Sequence, residues 1–275
     1  MAIRNINVSS WEEFESRIEL DISSLKEQKI DGLYQSRLLF RGQSNVNWKL
    51  ETTLERYLKD RNLPYDRISE ESYAEKLEST INQHRAFSNE LIDYPEKISG
   101  DRKNIDFPNA FDYLVHLRHD GFPSPILDWT VSPYVAAYFA FKDASVQDKD
   151  ENRVIYSLCP IIDGSFTINY NSPTVFSYEG DLRTHRRHYI QQANYTYCQF
   201  TEYSNGIERR YYTSHEDARF NDNQNYIKKY ILPFSERKKI LKKLDSMNIN
   251  ALTLFGNEEG LANMLAYREI EKGSL

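Results

Sequence analysis

The sequence predicts an α+β fold, a single compact domain with a helical N-terminal lobe and a mixed or antiparallel β core. Three observations predict it. Apolar residues recur at helical spacing through most of the first half. The stretch from about 152 to 213 is a succession of aromatic and β-branched runs bounded by Asn, Gly, Asp and Pro. The remainder alternates strand-like and helical segments.

Residues 8–29 read as an opening helix, with Ser9 or Ser10 as cap, Glu12 and Glu13 in the first turn, and Trp11, Phe14, Ile18 and Leu25 on one face. The run 36–42 (SRLLFRG) reads as a strand running into a loop at Gly42. The segment 47–60 enters a helix with Leu50, Leu54, Tyr57 and Leu58 together. Helices are expected over 70–92 and 109–118, then a Gly/Pro turn and the short strand ILDWT. Residues 132–144 form a small-residue helix, with Pro133 at its first position after Ser132. NRVIYSLCPI, FTINY, TVFSY, ANYTYCQF and ERRYYTS are expected strands. The end reads KKYILP strand, SERKKILKKLDSM helix, ALTLF strand, EEGLANMLAYREIEK helix.

With 275 residues, 40% of them hydrophobic and 28% charged, the chain has enough apolar material for a real core. Its 20 Tyr and 14 Phe make that core aromatic, with many hydroxyls in need of partners. Cys159 and Cys198 lie in apolar runs and are expected as reduced core thiols. No Cys/His group has metal-ligand spacing, so no metal is expected. There is no apolar leader, and the longest apolar stretch, YVAAYFAF, is eight residues; a cytoplasmic protein without membrane contact is the expectation. A net charge of −6 speaks against a general nucleic-acid coat but leaves room for a local basic groove from 183–188, Arg209-Arg210 and 237–243. Repeats, low-complexity tracts and linkers are absent, so one continuous unit is expected.

Two constellations stand out. Arg41 ends an apolar strand and precedes Gly42, where backbone can approach a ligand. It is suited either to bidentate capture of phosphate or to pairing with a carboxylate at the core edge. Asp128-Trp129-Thr130 leads into the helix start at Ser132-Pro133. Either these residues cap the helix and fill core, or they offer a hydroxyl, free N–H groups and an indole face to an anionic ligand. His119, Gln191-Gln192 and Glu258-Glu259 are weaker candidates, the glutamate pair as first-turn carboxylates. No GxGxxG, P-loop, HExxH or GxSxG occurs.

Taken together, Phe40-Arg41-Gly42 within LLFRGQSNVNWKLETTLER and the block HDGFPSPILDWTVSPYVAAYFAF resemble the FRG domain family. RHYIQQANYT and TLFGNEEGLA resemble two further blocks, and the resemblance spans about 36–265, after an N-terminal helical segment over 1–35. Ser124-Pro125 stand where the family has Thr-Arg, Ala193 where it has Gly, and Gly256 where it has Pro. The block order is similar to that of ADP-ribosyltransferases. That similarity implies an ADP-ribosyltransferase-like fold and an NAD-dependent mono-ADP-ribosyltransferase, the toxin of a bacterial toxin–antitoxin or phage-defence system. In it Arg41 takes the NAD phosphate, Trp129 or Tyr138 the ring, and Thr130 or Asp128 the ribose, with Gly42 and Ser132 also in the cofactor site. Gln191, Glu258 or Glu259 would fill the third motif position. Arg183, Arg186 and Arg187 would bind an RNA acceptor, with a protein acceptor as the other choice and an antitoxin protein as partner. Rival expectations are a non-catalytic nucleotide or nucleic-acid-binding module and a nuclease toxin.

Overall fold

Where helical spacing is continuous, helices form. The computed structural model describes residues 3–27, 37–87, 107–144, 152–159, 171–178, 186–218 and 226–272. Strand β1 (Arg4–Asn7) precedes helix α1 (Trp11–Glu27), whose start is capped by Ser10 accepting the Glu13 N–H at 3.2 Å. Strand β2 (Leu39–Gln43) leads to α2 (Thr53–Lys59), which opens on a capping box between Thr52 and Glu55. There follow β3 (Ile68–Ser69), α3 (Glu70–Phe87), α4 (Phe107–His119), β4 (Ile126–Thr130) and α5 (Pro133–Phe141). The second half holds β5 (Arg153–Cys159), β6 (Pro173–Tyr178), α6 (Arg187–Ile190), β7 (Ala193–Ser204), β8 (Ile207–Tyr212) and β9 (Tyr226–Leu232). It closes with α7 (Arg237–Ser246), α8 (Ala251–Phe255), α9 (Glu258–Ala266) and a π turn over Tyr267–Glu271.

Among the described residues the strands join one mixed sheet in the order β1-β9-β5-β2-β4-β7-β8-β3, with β6 on the other edge of β7. Only β1 and β9 run parallel; the other ladders are antiparallel. The fold is therefore α+β.

Side-chain alternation along the strands divides the core. Phe40 of β2, Ile155 of β5 and Tyr230 of β9 face α1, α5 and α7. Further along the same side, Ile126 of β4, Tyr195 of β7 and Tyr212 of β8 face α3 and α4. On the opposite side Leu39, Leu127, Trp129, Val154, Tyr156 and Leu158 are covered by Leu50, Val175 and Ala218. Cys159 and Cys198 are free thiols 1% exposed, as their apolar runs predicted.

Two elements differ from expectation. ALTLF is a helix, not a strand. Asn250 accepts the Thr253 N–H in a capping box, Ala251 and Leu254 face the core at helical spacing, and Gly256 at φ 64° ends the turn. A five-residue apolar run carries no period long enough to separate the two states; the cap decides it. β1 was not expected, because RNIN is polar; it is recruited by backbone pairing of Arg4–Asn7 with 228–231 of β9. The expected strand FTINY lies outside the described residues. No helix among the described residues is long and apolar enough to cross a membrane.

Candidate anion site at the parting of two strands

Strands β2 and β4 share a single register pair, Phe40 with Thr130, and then diverge. Beyond that pair the carbonyl of Asp128 is left without a strand partner on the β2 side, and Arg41 Nη1 donates to it at 2.7 Å. From the helical side, Arg118 at the end of α4 forks onto the Asp128 carboxylate, Nε to Oδ1 at 2.6 Å and Nη2 to Oδ2 at 2.5 Å. Its remaining nitrogen, Nη1, donates to Thr53 Oγ1 at 2.9 Å. Asp128 is thus gripped by two arginines, one on its carbonyl and one on its carboxylate. The Arg118 side chain is 8% exposed, but that of Asp128 is 41% exposed although protein surrounds it. The carboxylate therefore stands at the floor of a depression.

Burial alone would raise the Asp128 carboxyl, but the charge and hydrogen bonds of Arg118, with help from Arg41, hold it below its ordinary value. Arg41 is different. Burial drives its guanidinium down to about 10; Asp128 opposes this, while Arg118 and Arg56 reinforce it. Its Nε is buried with no partner among the described residues, and its one hydrogen bond goes to a neutral carbonyl. Arg118 has already claimed the Asp128 carboxylate. Arg41 is a half-buried cation, its Nε buried, in a local excess of positive charge among the described residues, an arrangement that costs stability unless an anion completes it.

Beside Asp128 the sheet continues to β7, with α6 packed on it. Tyr195 pairs in register with Asp128, and both Asp128 and Arg118 act on its buried phenol, which is pushed up chiefly by burial. His188 stacks on the Tyr195 ring at 5.7 Å, with Nδ1 3.3 Å from Oη; burial lowers its pKa and keeps it neutral. Sequence reasoning missed Arg118, Tyr195 and His188. The signal for Arg118 was present: with Ser124-Pro125 in place of Thr-Arg, the cation for Asp128 had to come from elsewhere, and α4 supplies it.

Several expected roles are corrected by geometry. Trp129 and Thr130 are strand neighbours and so point to opposite faces. Trp129 is 2% exposed and its indole N–H donates to Thr196 Oγ1 at 2.8 Å, so it is core and has no open face for a ring. Thr130 Oγ1 donates to the Gln191 carbonyl at 2.7 Å and accepts the Ser132 N–H at 3.1 Å. Ser132 in turn caps α5 through the Val135 N–H, so both hydroxyls serve the helix start. The close backbone approach at Gly42 is to α5: a Cβ there would lie 1.9 Å from the Ala136 carbonyl oxygen and 2.7 Å from the Ala140 nitrogen. Tyr138 is 9% exposed in the core beside α7, its phenol raised to about 12 by burial. It lines a separate cavity of about 400 Å³ with Phe255, Met264 and Tyr267, to which Arg41, Arg118 and Asp128 do not contribute.

Gln191 Nε2 donates to the Leu254 carbonyl at 3.0 Å, while Glu258 and Glu259 are exposed in the first turn of α9, complementing its macrodipole. Arg187 Nε donates to the Phe255 carbonyl at 3.3 Å, Arg186 is exposed, and Arg183 lies outside the described residues. In the basic helix α7, Arg237 pairs with Glu271, Lys239 with Glu12 and Glu236, and Lys243 with Glu15. Three of the five cations in 237–243 are therefore paired with carboxylates of the chain. The fold also gathers three potential metal ligands that spacing did not reveal, His84, His116 and Asp120, from α3, α4 and the turn after α4.

The strand-end arginine, the glycine under a small-residue helix and the clamped Leu-Asp-Trp-Thr strand all fall within one stretch that the comparison with protein families picks out. Residues 36–149 match the family model of the FRG domain. No curated protein and no solved structure matches the chain.

Proposed function

We propose that the chain binds a phosphate-bearing nucleotide at Arg41 and Asp128, and that this nucleotide is NAD, consumed in ADP-ribosyl transfer. The observation that carries the reading is the half-buried Arg41 guanidinium, whose one hydrogen bond among the described residues is to a carbonyl and whose neighbours leave positive charge in excess. A diphosphate balances that charge and supplies acceptors for the unpartnered Nε. In the reaction the ribose–nicotinamide bond breaks, its electron pair leaves with nicotinamide, and an acceptor nucleophile bonds to the ribose carbon and gives up a proton. Neutral His188, on the Tyr195 ring beside Asp128, is the base available for that proton. Arg41 stabilises the phosphate, and Asp128 fixes Arg41. With α7 largely neutralised, a protein acceptor is favoured over RNA, and a toxin restrained by a partner protein is the biological setting this chemistry fits.

A second reading, binding without turnover, draws on one observation. Gln191 spends its amide N–H on the Leu254 carbonyl, and Glu259 stands exposed at a helix start, which speaks against either in the third motif position. Radiolabelled NAD with cell extract decides between them. Release of nicotinamide and a labelled macromolecule, both lost in Arg41→Ala, support transfer. NAD binding by calorimetry without release supports the module. Failure of wild type to bind NAD, ADP-ribose or any adenine nucleotide more tightly than Arg41→Ala refutes the site itself.

A further inference from the structure

We propose that His84, His116 and Asp120 form a binding site for one divalent transition-metal ion of the zinc class, joining α3 to the end of α4. His84 comes from the last turn of α3, His116 from the last turn of α4, and Asp120 from the turn that follows. His84 Nε2 lies 3.4 Å and His116 Nε2 3.5 Å from the same oxygen, Asp120 Oδ2. One donor atom from each residue falls within 4.8 Å of the others. Two imidazoles and a carboxylate are the donor set that zinc and its neighbours favour over calcium or magnesium, which want oxygen.

The geometry is close to that of a closed site. Zinc bonds of about 2.0–2.1 Å to nitrogen place tetrahedral ligand atoms on the order of 3.4 Å apart, so the two nitrogen–oxygen separations already fit. Those separations are long for hydrogen bonds and match the spacing of ligands around one ion, and both imidazoles address one oxygen at once. The rings meet nearly at right angles, 79° at a centroid distance of 5.6 Å, so their edges converge on a point without stacking. His116 is 8% exposed at its side chain and His84 25%, which fixes the nitrogens. Asp120 is 52% exposed, which leaves an entry path and room for water as a fourth ligand.

The site has a consequence for the depression at Asp128. Arg118 and His119 sit between two of the ligands, His116 and Asp120, on the same turn. An ion here fixes the segment that delivers Arg118 to the Asp128 carboxylate. The proposal does not depend on what nucleotide, if any, is bound there.

The test uses the full chain stripped of metal with a chelator and dialysed. Zn²⁺ titration by calorimetry is expected to show one equivalent bound, and Co²⁺ to give the visible absorption of a low-coordinate ion with imidazole ligands. His84→Ala and Asp120→Asn, both at partly exposed side chains, are expected to weaken Zn²⁺ at least tenfold while circular dichroism shows them folded. His116→Ala is expected to do the same, but its burial makes it the less secure variant. Zn²⁺ should raise the thermal midpoint of wild type and not of His84→Ala. No binding by folded wild type, or binding that His84→Ala and Asp120→Asn leave unchanged, overturns the proposal.

Discussion

Replacing Gly42 with Ala separates two meanings of the glycine that follows Arg41. If it is there for a ligand, the variant should fold normally and bind poorly. If it is there for α5, the variant should be destabilised before any ligand is added. The added methyl would stand 1.9 Å from the Ala136 carbonyl oxygen, 2.7 Å from the Ala140 nitrogen and 2.9 Å from the Ala136 carbonyl carbon, all backbone atoms that no rotamer change can remove. To restore even 3.0 Å, α5 must lift from β2 by about 1 Å. The helix buries Val135, Ala136, Ala137, Ala140 and Phe141 against the sheet, and a gap of about 0.5–1 Å forfeits a quarter to a half of the dispersion attraction across it. The expected cost is about 3 kcal/mol, the upper range for overpacking. Urea denaturation followed by tryptophan fluorescence and circular dichroism measures it. Gly121→Ala is the control: its φ is +92° but nothing lies within 4 Å, so only backbone strain of about 1–2 kcal/mol applies. If Gly42→Ala unfolds within about 0.5 kcal/mol of wild type, the contact between β2 and α5 is misjudged.

Two further outcomes follow from the charged groups. Asp128→Asn removes the carboxylate that Arg118 forks; the loss at pH 7 is about 1–3 kcal/mol, below the 3–5 of a sealed pair because 41% of the Asp128 side chain is open. Since the folded carboxyl titrates below its unfolded value, the pair stabilises above about pH 4 and its contribution vanishes as pH falls through the lower folded value. Denaturation midpoints of wild type and variant should therefore converge as pH falls below the ordinary carboxylate value, and a constant gap would refute the account. His215 is wholly buried and titrates at about 3, lowered by burial and then by Arg41, while its Nε2 lies 2.9 Å from Thr196 Oγ1. Between the unfolded value of about 6.5 and that folded value only the unfolded chain takes the proton, so stability falls as pH drops across this window. His215→Gln should flatten the slope between about pH 6 and 4, and an unchanged slope would locate the titration elsewhere.

What the sequence made legible was what local pattern controls. The long amphipathic helices, the Ser132-Pro133 helix start and the aromatic strands all formed where spacing placed them. Asp128 and Arg41 were found because a strand end and a Gly are local features. Their partners were not local. Arg118 is ten residues before Asp128, yet only the packing of α4 on β4 aims it there; His188 meets Tyr195 because α6 folds back on β7. The misassigned roles share one cause. Trp129 and Thr130 were read as a pair, whereas a pleated strand sends adjacent side chains to opposite faces, and burial against Thr196 claims the indole. The His84, His116 and Asp120 group escaped for the same reason as Arg118: His84 is on another helix.

Strand β7 runs for 12 residues, pairing at 195–197 with β4 along one edge and β6 along the other, and at 199–200 with β6 and β8. No part of that stretch can be exposed without rupturing ladders on both flanks together, which ties the Asp128 half of the molecule to the β8–β3 half in one cooperative unit. In deuterated solvent the amides of Tyr195, Thr196 and Tyr197 should be among the slowest to exchange, opening only when the whole sheet does.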